Sequence, residues 1–87
     1  MNTKFTIYTE DVNTAFIERE VSKYFESFSF QFLHGVYKGI GKTSIAIIII
    51  TDSSKSAEVY AVAHSIKEHN KQDSVLVTQE NVISRLV

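Results

Sequence analysis

The stretch that most constrains this chain is Thr43 to Thr51, "TSIAIIIIT", whose centre, Ile45 to Ile50, is an unbroken run of apolar side chains. β-Branched residues favour strand, and the run is far shorter than the roughly 20 residues a membrane-spanning helix requires. In a strand, Ile45, Ile47 and Ile49 point to one side and Ala46, Ile48 and Ile50 to the other. Leaving an isoleucine in water forgoes about 1.5–3 kcal/mol. The run therefore predicts a central strand with a covering layer on both faces.

At 87 residues the chain is expected to form one domain, 1–87,. A chain this short buries only about 60% of its unfolded surface. With no cysteine there is no disulfide and no thiolate metal site,, so association is the expected extra source of stability. "KFTIYT" (4–9) alternates as a half-buried strand,. "EDVNT" offers helix caps, and Phe16, Ile17, Val21, Tyr24 and Phe25 recur at helical spacing over 13–26,. "SFSFQF" changes the period to two, with Phe28, Phe30 and Phe32 on one face expected to lie under the helices, and continues as a strand to Tyr37,. The isoleucine strand follows. "DSSKS" caps a second helix striped by Val59, Val62, Ala63 and Ile66 and ending near "HN", "DSVLVTQ" is a fourth strand, and 82–87 is a tail,.

Strand, helix, strand, strand, helix, strand is the order of an α+β, ferredoxin-like βαββαβ sandwich. It predicts a four-stranded antiparallel sheet, strands one and three central, two helices on one face, and a C-terminal extension. The helices cover only one set of isoleucines. The other face is expected to be a contiguous apolar patch, which marks an interface. Tyr8, Leu33, Ile48, Ile50 and Leu76, with Val82 and Leu86 from the tail, are the expected interface of a homo-oligomer, most simply a two-fold dimer. The competing arrangement is a monomer whose own tail covers that face.

"GVYKGIGKTS" (35–44) holds every glycine in the chain. A phosphate loop needs glycine, four residues, then Gly-Lys-Ser/Thr between a strand and a helix. Counting from Gly35, the second glycine falls at Ile40, and strand rather than helix follows Thr43. A hairpin explains the glycines better: Gly39 and Gly41 at positive φ in the turn, Gly35 at a bulge or close backbone approach. No acid lies between Glu26 and Asp52, whereas His34, Lys38 and Lys42 do. Tyr37, Lys38, Gly39, Gly41 and Lys42 are the candidate site for a small anionic ligand; the plainer alternative is a solvated turn whose lysines keep it soluble.

Other chemistry is sparse. His64 and Glu68 share a helical turn, but no zinc signature exists and no metal or cofactor is expected,. His69 at a helix C-terminus suits the dipole. Glu10 with Asp11, and Glu18 with Glu20, read as solvated charge. No nucleophile elbow occurs and no catalytic residue is assigned. The formal net charge of -1, and a third strand without aromatic side chains, argue against nucleic acid as a partner. The start, "MNTKFTIYTED", has no signal-peptide layout, which places the protein in the cytoplasm,.

"FTIYTED", "GVYKG" and "NKQDSVLVT" together resemble small uncharacterised proteins of bacteriophages and mobile elements. At the level of topology the chain is also similar to dimeric α/β-barrel proteins and regulatory ligand-binding domains. The resemblance implies an accessory role in a host cytoplasm, such as counteracting a defence by sequestering a nucleotide-like signal or by covering a host protein. It assigns no residue.

Overall fold

The computed structural model describes residues 2–87. The elements are β1 (Asn2–Glu10), α1 (Thr14–Ser22), β2 (Ser29–Tyr37), β3 (Ile40–Asp52), a single 3-10 turn (Ser53–Lys55), α2 (Ser56–Asn70) and β4 (Leu76–Val82). One antiparallel sheet has the order β2-β3-β1-β4. The isoleucine strand and β1 are central, as expected, and the four strands with two helices form the ferredoxin-like sandwich.

Pairing of Phe5 with Ile49, Ile7 with Ile47 and Thr9 with Ile45 sets these side chains on one face. Phe5, Ile7 and the three isoleucines share a single buried cluster with Ile17 and Val21 of α1 and Val59, Val62 and Ile66 of α2. Both helices therefore cover that face, and the apolar stripe of α2 is the one its spacing predicts.

Several boundaries differ from the sequence expectation. α1 ends at Ser22, not near 26, because the Val21 carbonyl accepts from the amides of both Tyr24 (3.1 Å) and Phe25 (3.0 Å). That tightening turns Phe25 into the core and leaves Tyr24 outside,. Asn13, an expected cap, sits at φ 55 with no cap bond from its side chain; it donates instead to Asn70 Oδ1 at 2.7 Å. Asp52 caps the 3-10 turn rather than α2, whose N-cap Lys55 makes no side-chain cap bond; Asp52 accepts from the Ser54 amide at 2.9 Å, and that bond holds its carboxyl below the usual carboxylate range. Val82 belongs to β4, opposite Asn2, so the tail is 83–87. Phe32 remains 60% exposed because β2 is an edge strand, while Phe28 and Phe30 pack on the core.

A polar link joins the helices. Glu20, only 9% exposed, was expected to be solvated. Its carboxylate accepts from Lys23 Nζ at 2.6 Å and from Ser65 Oγ of α2 at 2.8 Å. The Lys23 bond, then the Ser65 bond, lower its pKa from the ordinary 4.5. Beside it, Phe16 stacks on His69, with centroids 3.7 Å apart. A depressed carboxylate stabilises the fold above its unfolded pKa and loses that contribution as pH falls through the folded value. Glu20→Gln is expected to lower stability by about 1–2 kcal/mol at pH 7 and to flatten the decline below pH ~4.5. Urea titrations from pH 7 to pH 3 check this; a variant acid limb parallel to that of the parent would exclude it.

Candidate functional site

The β2–β3 hairpin projects beyond the end of β1, where Glu10 faces Ser44. Tyr37 pairs with Ile40, and the two residues between them, Lys38 (φ 51) and Gly39 (φ 77), both lie in the left-handed region. Two consecutive positive φ values mark a type I′ turn, whose twist matches that of the flanking strands. Gly41 departs from expectation. It has no positive φ; it sits in β3 opposite Val36, where an added Cβ would lie 2.7 Å from His34 Cε1. This glycine makes room for the imidazole. Gly35 marks no bulge either: it pairs with Lys42 in unbroken register, and a Cβ there would meet nothing nearer than 3.9 Å.

A groove of about 480 Å³ runs along the hairpin. Tyr37, Lys38 and Lys42 line it, joined by Val36, Ile40 and Glu10; Gly39 and Gly41 shape the hairpin without lining the groove. Lys38 Nζ stands 5.4 Å from the centroid of the Tyr37 ring, within cation–π range. Lys42 Nζ lies 3.4 Å from Glu10 Oε1. The stretch without acids in the sequence is therefore not free of acid in space. The β1–β3 register delivers Glu10, which spacing along the chain alone does not reveal.

A second cleft, about 650 Å³, lies between the hairpin base and the loop from α2 to β4. Tyr8, Tyr37 and Leu76 supply apolar walls, and Glu10 and Asp73 supply negative charge. Gln72 fixes the loop by accepting from Thr9 Oγ1 (2.6 Å) and from Asn70 Nδ2 (3.3 Å) while donating to the Ser74 carbonyl (3.3 Å).

On the face away from the helices, the register aligns Gln31, Ala46, Tyr8 and Leu76 in one row and Ser29, Ile48, Thr6 and Thr78 in the next. Tyr37 (73%) and Ile40 (63%) at the hairpin, with Leu76 (61%), Ile50 (50%) and Tyr8 (37%), are its exposed apolar side chains, whereas Leu33, Ile48 and Val82 are half-buried. The expected contiguous patch is instead a band broken by the threonines and by the Lys4–Glu80 ion pair (3.7 Å). The tail does not cover it: Ile83 is 92% and Leu86 102% exposed. Asn2 Nδ2 donates to Ser84 Oγ near the start of the tail.

The titratable groups shifted by their surroundings, Glu20 and Asp52, lie outside both cavities. Among the described residues no group of three His, Cys, Asp or Glu is placed to hold a metal, and no helix is long and apolar enough to cross a membrane.

No protein-family model and no curated protein matches the sequence. Solved structures do match. The chain is similar to a DUF3240 family protein from Shewanella baltica OS155, with TM-score 0.81, 8% identity, and coverage of 99% of this chain and 94% of that one. It is similar to a phage SAM lyase in its apo state, with TM-score 0.71, 21% identity, and coverage of 90% and 78%. It is also similar to CPII, a nitrogen regulatory PII-like protein from Thiomonas intermedia K12 bound to ADP, AMP and bicarbonate, with TM-score 0.68, 15% identity, and coverage of 99% and 96%. These likenesses show a ferredoxin-like fold shared with proteins such as the PII-like CPII.

The three glycines now have separate roles, and their alanine variants are expected to separate accordingly. Gly39→Ala, at positive φ, should destabilise the protein by about 1 kcal/mol or more. Gly41→Ala should move only the exposed His34 ring, a smaller effect, and Gly35→Ala should be neutral within about 0.5 kcal/mol. Thermal melts of the three variants check the order.

Proposed function

We propose that the protein is a non-catalytic, homo-oligomeric binding module whose hairpin groove takes a small anionic, nucleotide-like ligand. The observation that carries this reading is the groove itself: two ammonium groups, Lys38 and Lys42, flank the exposed Tyr37 ring beside apolar Val36 and Ile40. A planar ring would stack on Tyr37 while an anionic group engages the lysines. The Lys42–Glu10 pair is no obstacle, since an exposed ion pair is worth about 0–1 kcal/mol and yields to a better partner. That a protein of the same fold, CPII, is bound to ADP and AMP supports the choice of ligand class.

Self-association rests on the open sheet face, where Tyr8, Ile50 and Leu76 are uncovered and no segment among the described residues shields them. An apolar band with a polar surround has the anatomy of a protein–protein interface. The resemblance to phage and mobile-element proteins supports a role for such a module in a host cytoplasm, where sequestering a signal would blunt a defence. A second reading, a module that covers a host protein, draws on the same face and on the unpaired edges of β2 and β4,.

Calorimetry against a panel of nucleoside mono-, di- and triphosphates tests the first reading. Binding is expected with at least one, weakened about tenfold or more by Lys38→Ala or Lys42→Ala, as for lost charge-assisted bonds. The absence of heat with every member, together with a stoichiometric host protein in pull-downs, would favour the second. Light scattering tests assembly: the parent chain is expected as a dimer, and Ile50→Lys as a monomer.

A further inference from the structure

The two most exposed apolar features of this molecule lie at opposite ends of one sheet. The hairpin and its adjoining cleft occupy the Glu10 end, since Glu10 faces Ser44 and Tyr8 faces Leu76. The tail leaves from Val82, opposite Asn2, at the other end. It carries Ile83, Leu86 and Val87, each more than nine-tenths exposed, and one charge, Arg85. Extended at about 3.3 Å per residue, the five tail residues reach at most ~17 Å. Val82 to Leu76 alone is ~20 Å by the same rise, before any reversal of direction. Residues 83–87 therefore cannot lie in their own chain's cleft,.

The cleft and the tail match in chemistry. The cleft offers Tyr8, Tyr37 and Leu76 as apolar walls with Glu10 and Asp73 beside them, and no basic residue lines it. The tail offers apolar side chains flanking a guanidinium. Tyr8, Tyr37, Ser44 and Leu76 also belong to the open sheet face by register. A copy stacked on that face therefore stands directly over the mouth of the cleft.

We infer that two copies pair through their open faces with strands antiparallel, and that the tail of each copy enters the partner's cleft, with Arg85 meeting Glu10 and Asp73. A two-fold axis in the interface, perpendicular to the strands, brings each tail end over the partner's hairpin end. The same axis turned parallel to the strands would set tail over tail and leave all the apolar ends in water. The inference rests on the sheet-face pairing proposed above and adds the occupant of the cleft. It also makes the binding site composite, because the cleft and the ligand groove share Glu10, Val36 and Tyr37. The docked tail forms a wall beside the ligand.

The chain has no cysteine, which permits a direct test on the full chain. Equimolar Leu86→Cys and Ser74→Cys chains, mixed and mildly oxidised, are expected to give the mixed disulfide dimer in excess of either homodimer. Arg85→Glu is expected to weaken dimerisation about fivefold, the scale of an exposed ion pair, and Asp73→Arg in the same chain to restore it. If light scattering shows a dimer but no mixed disulfide forms, or Arg85→Glu changes nothing, the tail docks elsewhere and the inference falls while the sheet-face pairing stands. If the parent chain is monomeric at high concentration, the pairing itself is wrong and the inference falls with it.

Discussion

Everything in this structure follows from a strand that is apolar on both sides in a fold that covers only one. β3 cannot be an edge: it lies between β2 and β1, and Ile45, Ile47 and Ile49 anchor the core shared by both helices. Its other side is only partly protected. Ala46 is buried and Ile48 half-buried by their neighbours, but Ile50 is open. Thr6 opposite Ile48, Thr78 beyond it, and the Lys4–Glu80 pair beside Ile50 dilute the band while leaving a surface with something to gain from burial,. The proposed pairing is the outward expression of that partial protection.

The Glu10 end of the sheet is where chemistry collects, because the strand termini, the hairpin and the loop from α2 meet there. Among the described residues three non-glycine residues have positive φ, and all are in this half of the molecule: Asn13 and Lys71 in the two facing loops and Lys38 at the hairpin tip. The Asn13–Asn70 and Thr9–Gln72 hydrogen bonds lock the loops together, so the cleft has one rigid wall. The hairpin opposite is held by its ladder, by the Asp11 amide donating to the Thr43 carbonyl (3.3 Å) and by Lys42–Glu10. A rigid wall facing a less constrained one is a geometry that adjusts to a ligand from one side only.

The fold was legible because its signals are local and agree with one another. The β-branched run, the change of period at Ser27 and the stripe of α2 each specify an element, and their order leaves few topologies. The turn chemistry was half legible. Glycines announced a turn, but which residues take positive φ depended on the strand register, and the two-residue turn recruited Lys38 instead of Gly41. Glu20 was misread as solvated because burial on an α1–α2 interface depends on how two helices face each other, which helical periodicity within either one does not encode. The site suffered most. Lys38, Lys42 and Tyr37 were visible as neighbours in sequence, whereas Glu10 and Asp73 reach the same place from 32 and 31 positions away from Lys42.

Those two acids change what the site can select. A hairpin with lysines alone would attract any anion, and its affinity would decline steeply with salt. With Glu10 paired to Lys42, a ligand has to offer more than charge: it must replace the carboxylate at Lys42 and also occupy the apolar surface of Val36, Tyr37 and Ile40. A bare inorganic ion meets the first requirement only, and a neutral ring the second only. A molecule that joins an anionic group to a flat apolar body meets both, so under the proposed reading the acid that competes for Lys42 is the element that would give the site discrimination. In the inferred dimer, Arg85 of the second copy would sharpen this further: drawing Glu10 toward the tail would loosen its hold on Lys42, so assembly and ligand capture would favour one another through a single carboxylate.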